Sequence, residues 1–570
     1  MRYTGGEALV EVLKRQEVKA IFCSPGSEWG PVWEALAKQH AQGDREPEYF
    51  NCRHEMLAAS AAIGYAQKGG GLPAIMVHTA AGLLHCAMAI HGAYTDHVPM
   101  VVFAGESARF TEGEDTESNR GWQWLHLSDV GGPSRMAAPF VKWTQAVTSR
   151  ETLPGTIARA CQIARMEPQG PVLLSIAKEY LQEELEESLP RIPILRSYSP
   201  PNPADVEKIA ALLQGSQNPI IITERVGAQP QAVQKLVELA ETLTIPVFES
   251  MTPESVNFPK EHPLHAGYDV TQAIREADVV LVVEAMHPWN PQLTIPRPDA
   301  HVLFIDHQAP YQQFPFWNYR SDMTVTADAL LTLEALLASL KTKGRLEAAR
   351  PGRAAAWQAK HEQMLAAWDQ RAHQARQKQP IDPYWLCYAI NAWLPPEVIV
   401  IQDTTTTNPA VNRLIRRIQP GNLYKGNVRG LGSGMGVALG AKLAAANQPV
   451  VHLVGDGSFN YAPVTSALGF AQEYHLPVLT IVFNNGSYRA MKSALLRLYP
   501  EGWATRTRTF YGAAIAPTPD YAQLMKAFDG YGEKVSDPEE IAPALSRAWS
   551  EIQQGRSALL DVILDAEDPR

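Results

Sequence analysis

Two short apolar runs near the carboxyl-terminal end constrain this chain more than any other feature. Residues 450–454 read VVHLV and residues 478–483 read VLTIVF. Both are rich in β-branched residues and bounded by turn formers, the pattern of strands buried on both faces. Between them, roughly over Tyr461–Tyr474, apolar residues recur at helical spacing, and Pro477 closes the segment. The unit is βαβ, two parallel strands joined by a crossover helix. The first strand ends at Gly455-Asp456-Gly457, which reads as a tight turn, and the second at Asn484-Asn485. Such tips lie side by side at the carboxyl edge of a parallel sheet, where α/β folds bind ligands. The Asp456 carboxylate and an Asn485 amide oxygen make a hard, oxygen-only half-shell that suits Mg²⁺ or Ca²⁺, with positions left for phosphate oxygens and water. The helix opening at Gly457 and Ser458 adds backbone N–H groups for an anion. Either turn alone is most often just a turn. The pair, with 26 residues between Gly457 and Asn484, points to a metal–anion site.

At 570 residues the chain exceeds one hydrophobic core. The expected fold class is α/β, three consecutive domains with mainly parallel sheets flanked by helices. They are residues 1–190, a central unit 195–340 reached through a Pro-rich linker (Ile192-Pro193 to Pro203), a charged helical connector 341–380, and a last unit 381–570. In the first, a helix over Gly6–Gln16 and a second over Trp29–Gln39 flank a strand at Ala20–Cys23. Further strands are expected at Ile75–His78 and Met100–Phe103. Ser27, Glu55 and His78 fall at or beside strand ends. Glu55 opens the small-residue helix of RHEMLAASAAIGYAQ, where an acid can equally be a partner of the helix dipole. The polar stretch QHAQGDREPEYF between Ser27 and Glu55 reads as a surface insertion. Central strands are expected at Pro219–Thr223, Ile245–Phe248, Val279–Val283 and Val302–Ile305. No G-x-G-x-x-G follows any of them, so the dinucleotide fingerprint is absent, which disfavours FAD and leaves nucleotide binding by this unit open. His287, in the loop HPWNP, is by itself as readily a solvated histidine. In the last unit the strand Val398–Ile401 leads to Asp403 and the hydroxyl run Thr404–Thr407, an anion cradle or a helix cap. Arg429–Gly440 is glycine-dense, which close helix–sheet packing would also explain.

A net charge of −10 leaves no electrostatic footprint for nucleic acid. The first residues already follow an amphipathic helix pattern, and no run reaches the length of a membrane span. Five cysteines without a C-x-x-C pair read as reduced thiols, so a cytoplasmic location is expected.

With Gly455-Asp456-Gly457, Asn484-Asn485 and His54-Glu55 ahead of GYAQ in hand, the chain resembles the thiamine diphosphate enzymes of the decarboxylase and acetolactate synthase type, with pyruvate decarboxylase/oxidase-like architecture. Among them it looks most like the benzoylformate decarboxylases. The segments that carry this are Ser24-Pro25-Gly26-Ser27, Val77–Gly82, Phe140–Trp143, Glu167–Ser175 and the spacings from Asp403 to Leu431 and on to Asp456. The resemblance implies thiamine diphosphate and Mg²⁺. It implies metal ligation by Asp456, Asn485 and the Ser487 carbonyl, and diphosphate contacts from Thr405, Thr406, Gly457 and Ser458. It makes Leu431 an apolar wedge under the cofactor, next to Gly430 and to an Arg429 carbonyl that accepts the 4′-amino group. Glu55 would relay a proton at the pyrimidine, and Ser27, His78 and His287 would act on the substrate. The implied reaction is decarboxylation of a 2-oxo acid, with carboligation to an aldehyde as a second outcome. An acetolactate synthase-like carboligase, an aldehyde lyase and a catalytically silent relative remain alternatives. The family implies a homodimer or homotetramer with active sites at the subunit interface. Arg489, Ala494 and the long loop Tyr499–Ala513 depart from the pattern and leave substrate identity open.

Overall fold

The computed structural model describes all residues except 1–2, 107–130, 186–188, 190–191, 196–198, 251–252, 312–313, 315–316, 343–350, 417, 427–428 and 566–570. Part of the Pro-rich linker and of the charged connector therefore lies outside the described residues. The described residues form three parallel sheets and a two-stranded antiparallel pair of Tyr3–Thr4 with Glu184–Leu185.

The first sheet uses β1 (Ala20–Cys23), β2 (Glu48–Asn51), β3 (Ala74–Val77), β4 (Met100–Glu106), β5 (Trp143–Ala146) and β6 (Pro171–Ala177), in the order β2-β1-β3-β4-β6-β5. The central sheet uses β7 (Pro219–Thr223), β8 (Val247–Glu249), β9 (Val279–Val283), β10 (His301–Ile305) and β11 (Met323–Val325), in the order β8-β7-β9-β10-β11. The last uses β12 (Ile399–Asp403), β13 (Leu423–Lys425), β14 (Val450–Gly455), β15 (Val478–Asn484), β16 (Tyr531–Val535) and β17 (Ala558–Ile563), in the order β13-β12-β14-β15-β17-β16. Interior strands such as β3, β9 and β15 are buried at every position, as apolar runs covered by helices on both faces must be.

Helices α1 (Glu55–Gln67) and α2 (Thr79–Thr95) belong to the first domain. In the last, α3 (Asn408–Leu414) follows β12 and α4 (Gly434–Ala444) follows β13. The small residues of α1 let it cross α4 at backbone distance. A Cβ at Gly64 would lie 1.9 Å from the Val437 carbonyl oxygen, and one at Gly440 would lie 1.8 Å from that of Ala61. This crossing merges the two domains into one core that holds Phe22, Leu57 and Ile63 together with Val437, Leu439 and Phe470. The central domain keeps apolar clusters of its own.

Two expectations are corrected. The helix expected over Tyr461–Tyr474 is two helices, α5 (Asp456–Tyr461) and α6 (Val464–Glu473), divided at Pro463, whose nitrogen cannot donate. Asp456 thus starts a helix and is not in a tight turn. The supposed surface insertion between Ser27 and Glu55 carries the edge strand β2. Its Phe50 is buried, stacks on Phe22 at 5.3 Å and meets Tyr474, the residue that ends α6, edge-on at 5.2 Å. The Asn51 N–H donates to the Tyr474 hydroxyl, and Arg53 pairs with Glu473. The edge is covered by the last domain, so it need not be apolar along its length.

Candidate active site

Adjacent strands β2, β1 and β3 deliver Glu55, Ser27 and His78 to one edge of the first sheet. Ser27 is exposed at the start of a 3₁₀ turn, Ser27–Trp29. The turn is pinned by Trp29, fully buried, whose indole N–H donates to the Val77 carbonyl at 3.2 Å. Between them sits Glu28, a residue the sequence reading passed over. Its buried carboxylate meets His78 Nδ1 at 2.8 Å and 3.0 Å and accepts the Thr79 N–H at 3.2 Å. Gly26 and Gly105 wall this slot, since a Cβ on either would come within 2.5 Å of the carboxylate. Thr79, directly after His78, is held at φ +40, a costly conformation for a β-branched residue. The clamp assigns the Nδ1 proton to the Glu28 side, so any proton exchange would use Nε2.

Glu55 is the first residue of α1. The cap is His54, whose Nδ1 accepts the Met56 N–H at 3.1 Å. Glu55 Oε2 lies 3.1 Å from Nδ1 of His85, and the His85 ring stacks on His54 at 5.7 Å. These three side chains offer donor atoms within 4.8 Å of one another. Because His54 Nδ1 serves the cap, its Nε2 carries the proton, and two ligands remain, too few for a structural metal centre.

In the last domain four adjacent strands, β13, β12, β14 and β15, line up Arg429–Leu431, Thr405–Thr406, Asp456 and Asn485–Ser487 along one edge. Thr405 is exposed and Thr406 half-buried, just ahead of α3. Asp456 Oδ1 accepts the Gly457 N–H at 2.9 Å, while Oδ2 is buried without a partner. Burial pushes this carboxyl up to about 6, against the pull of the Gly457, Gly486 and Ser487 N–H groups. An unpaired, buried carboxylate oxygen is what a hard dication would satisfy, so these residues fit Mg²⁺. Asn485 Oδ1 accepts the Ser487 N–H at 3.0 Å and its hydroxyl at 2.8 Å. Ligation through that oxygen therefore requires the hydroxyl to turn away. The Ser458 hydroxyl donates to Asp403 Oδ2 at 2.8 Å and accepts the Gly432 N–H at 3.1 Å. It is spent on holding the Leu431 loop to β12, and only its backbone is left for an anion. Gly457 and Gly430 stand in the same two segments, and Leu431 is half-buried.

His287 stands apart. It follows β9 with its side chain partly exposed between the buried residues Met286 and Pro288, donates its backbone N–H to the Glu224 carboxylate at 3.0 Å, and sets its ring edge-on to Phe314. It lines a cavity of about 860 Å³ at the carboxyl edge of the central sheet with Trp289, Tyr319, Trp368 and Arg413. None of Ser27, Glu55, His78 or Asp456 lines that cavity. Burial, reinforced by Arg429, holds its imidazole below the usual range.

Past Asn485, the amphipathic helix α7 (Arg489–Leu498) buries none of its residues within the single chain. Trp503 and Tyr511, in the loop after it, are 78% and 94% exposed, and that loop contains a short helix, Trp503–Thr507. Among the described residues no helix is long and apolar enough to cross a membrane.

The N-terminal TPP binding domain of the thiamine pyrophosphate enzymes matches residues 3–124, their central domain residues 206–336 and their C-terminal TPP binding domain residues 403–562. Benzoylformate decarboxylase of Pseudomonas aeruginosa is 25% identical over 497 residues, which covers 85% of this chain and 86% of that protein. The acetolactate synthase isozyme 3 large subunit of Escherichia coli is 26% identical over 585 residues, covering 99% and 95%. The solved structure of a thiamine diphosphate-dependent 4-hydroxybenzoylformate decarboxylase from Rhodococcus jostii superposes with a TM-score of 0.79 at 23% identity, covering 99% of this chain and 100% of that one. At that identity the superposition speaks for the fold alone.

Proposed function

The chain belongs to the thiamine pyrophosphate enzyme family, and from that membership we propose that it is a thiamine diphosphate- and Mg²⁺-dependent lyase that decarboxylates a 2-oxo acid and can pass the acyl group on to an aldehyde. The observation that carries this reading is the Asp456 carboxylate, buried with one oxygen unpaired, at the edge that also presents Thr405, Thr406 and the Leu431 loop. Asp456, Asn485 and the Ser487 carbonyl hold the metal, and the two threonine hydroxyls donate to the diphosphate. Arg429–Leu431, with Gly430, supports the organic rings, and backbone N–H groups at Gly457 and Ser458 face the anion. When bound, thiamine diphosphate supplies the electron sink for the pair left by a departing carboxylate.

The protein's own work is proton placement. Glu55 holds and returns a proton at the pyrimidine, with its second oxygen steadied by His85. His78, held by Glu28, exchanges a proton at the substrate through Nε2, and the Ser27 hydroxyl orients the substrate. His287, which lines a separate cavity in the single chain, is assigned no step. The complete set of acid, metal ligands and hydroxyls favours an active enzyme over a silent relative. Helix α7, none of whose residues is fully buried in the single chain, favours a homodimer or homotetramer with shared active sites. Five buried, free thiols suit a cytoplasmic location.

The test is CO₂ release by purified protein with thiamine diphosphate and Mg²⁺ on aliphatic and aromatic 2-oxo acids, with and without added aldehyde. CO₂ with an aldehyde product supports the decarboxylase. A ligated product from one 2-oxo acid alone supports the acetolactate synthase-like reading, and aldehyde cleavage or coupling without CO₂ supports an aldehyde lyase. Cofactor binding with no turnover across the panel would overturn the enzymatic reading.

A further inference from the structure

Arg429, beside the loop residues Gly430 and Leu431, holds its backbone at φ +62, in the left-handed region that disfavours side chains. Glycine would adopt that conformation without strain, so an arginine needs something to hold it there. Its side chain supplies the hold. Nε donates to Asp96 Oδ1 at 3.0 Å and to Thr95 Oγ1 at 3.2 Å, both at the end of α2. Nη2 reaches Asp96 Oδ1 at 2.9 Å and Glu254 Oε1 of the central domain at 2.8 Å. The other Glu254 oxygen pairs with Arg225 Nε at 3.2 Å, and Arg225 Nη2 donates to the Asp96 carbonyl at 2.9 Å. Two cations and two anions from three domains thus close a ring. The side chains of Asp96 and Arg225 are 4% and 8% exposed, so the pairs act where water screens them weakly. Removing one partner leaves a buried charge uncompensated. Gly430 seals the arrangement, since a Cβ there would lie 1.9 Å from Met88 Sδ on α2.

We propose that Arg429 is a positioning residue whose side chain ties the Leu431 loop to Asp96 of the first domain and Glu254 of the central domain, setting the loop's backbone before any cofactor arrives. The inference rests on the reading that this loop faces the cofactor, and it goes beyond that reading by assigning the central domain a part in shaping the site. Arginine's planar fork is what allows one side chain to serve both carboxylates.

Two variants separate tether from backbone. Arg429→Gly relaxes the strained φ and removes the tether, whereas Glu254→Gln leaves the loop untouched and removes one anchor. Hydrogen–deuterium exchange is read on the cofactor-free protein at Leu431 and Gly432, and thiamine diphosphate affinity is read by calorimetry. Both variants are expected to raise exchange at these amides and to weaken affinity about tenfold, the scale of one charge-assisted bond. The KM for the cofactor should rise more than kcat falls. Arg429→Lys, which keeps the charge and loses the fork, should fall between wild type and Arg429→Gly. Unchanged loop exchange and affinity in either of the first two variants would overturn the proposal. So would a lowered melting temperature with wild-type exchange at the loop, the mark of a merely structural pair. If Arg429→Gly does not fold, Glu254→Gln and Arg429→Lys decide alone. Wild-type protein that binds no thiamine diphosphate would refute the functional reading instead, and loop exchange would then judge the tether by itself.

Discussion

At Asp456, burial does what a cation would undo. The carboxyl is pushed up to about 6 from an ordinary 3.8, so without metal the folded protein holds this proton more tightly than the unfolded chain does. Its contribution to stability is therefore complete below 3.8 and is lost as pH rises through about 6. Metal binding needs the ionised form, so Mg²⁺-dependent cofactor affinity should be roughly constant above pH 7 and fall by up to about tenfold per unit below 6. Calorimetry at pH 5 and pH 7 measures this. Because Asp96 and Glu224 are also raised into this window, the readout is the difference between wild type and Asp456→Asn, in which metal-dependent binding is lost. At His78, replacement by Ala should keep cofactor affinity and lower turnover by about 10²–10⁴-fold, and Glu28→Gln should lower it less because the ring remains. Steady-state kinetics beside calorimetry measures both, and wild-type turnover in His78→Ala would make the residue structural. Asp456, Asn485 and Glu55 could be singled out in the sequence because each sits in a short string whose chemistry is local. Glu28, His85 and Asp403 were not, because each gains its meaning from a partner 50, 30 or 55 residues away.

The crossing of α1 and α4 shows what glycine does at the scale of an element. A methyl group at Gly440 would meet the Ala61 carbonyl oxygen, which is backbone and cannot step aside. Gly440→Ala should therefore cost at least about 1–3 kcal/mol in chemical denaturation, the range for overpacking. Gly155→Ala, in a helix with open space around that position, should be neutral or stabilising and serves as the control. The strands named from the sequence fall within three residues of those found, because a buried parallel strand is a continuous apolar run between turn formers, whereas β5, β6, β11, β13, β16 and β17 were not named at all. β2 was missed because its polar flanks hide an edge whose cover comes from a distant domain, and α5 and α6 were merged because apolar spacing continues across Pro463. The glycines of Arg429–Gly440 were read as either a cofactor loop or close helix–sheet packing; in α4 Gly434 does face the sheet at Asp403 and His452, while Gly436 and Gly440 pack against helix α1.

Across the whole molecule, the order of three α/β units was legible from their repeated rhythm, but their division of labour was not. One apolar cluster spans the first and last domains, while the central domain has two clusters to itself. Calorimetric unfolding is expected to show the first and last domains melting as one cooperative unit, separate from the central domain. If active sites are shared between subunits, inactive Glu55→Gln and Asp456→Ala chains should complement when refolded together. A random dimer mixture would regain about a quarter of wild-type turnover, since half the dimers carry one intact site of two. No recovery would place each site within a single chain. The joint core also bears on how such a chain can be recombined. The first and last domains can be inherited only as a matched pair, because a foreign partner would have to reproduce contacts with no room for a single extra methyl group. The central domain is the exchangeable cassette, on condition that the newcomer reproduces Glu254 and Arg225 together with the bonds that Lys260 and Tyr268 donate to the Asn412 and Ile415 carbonyls.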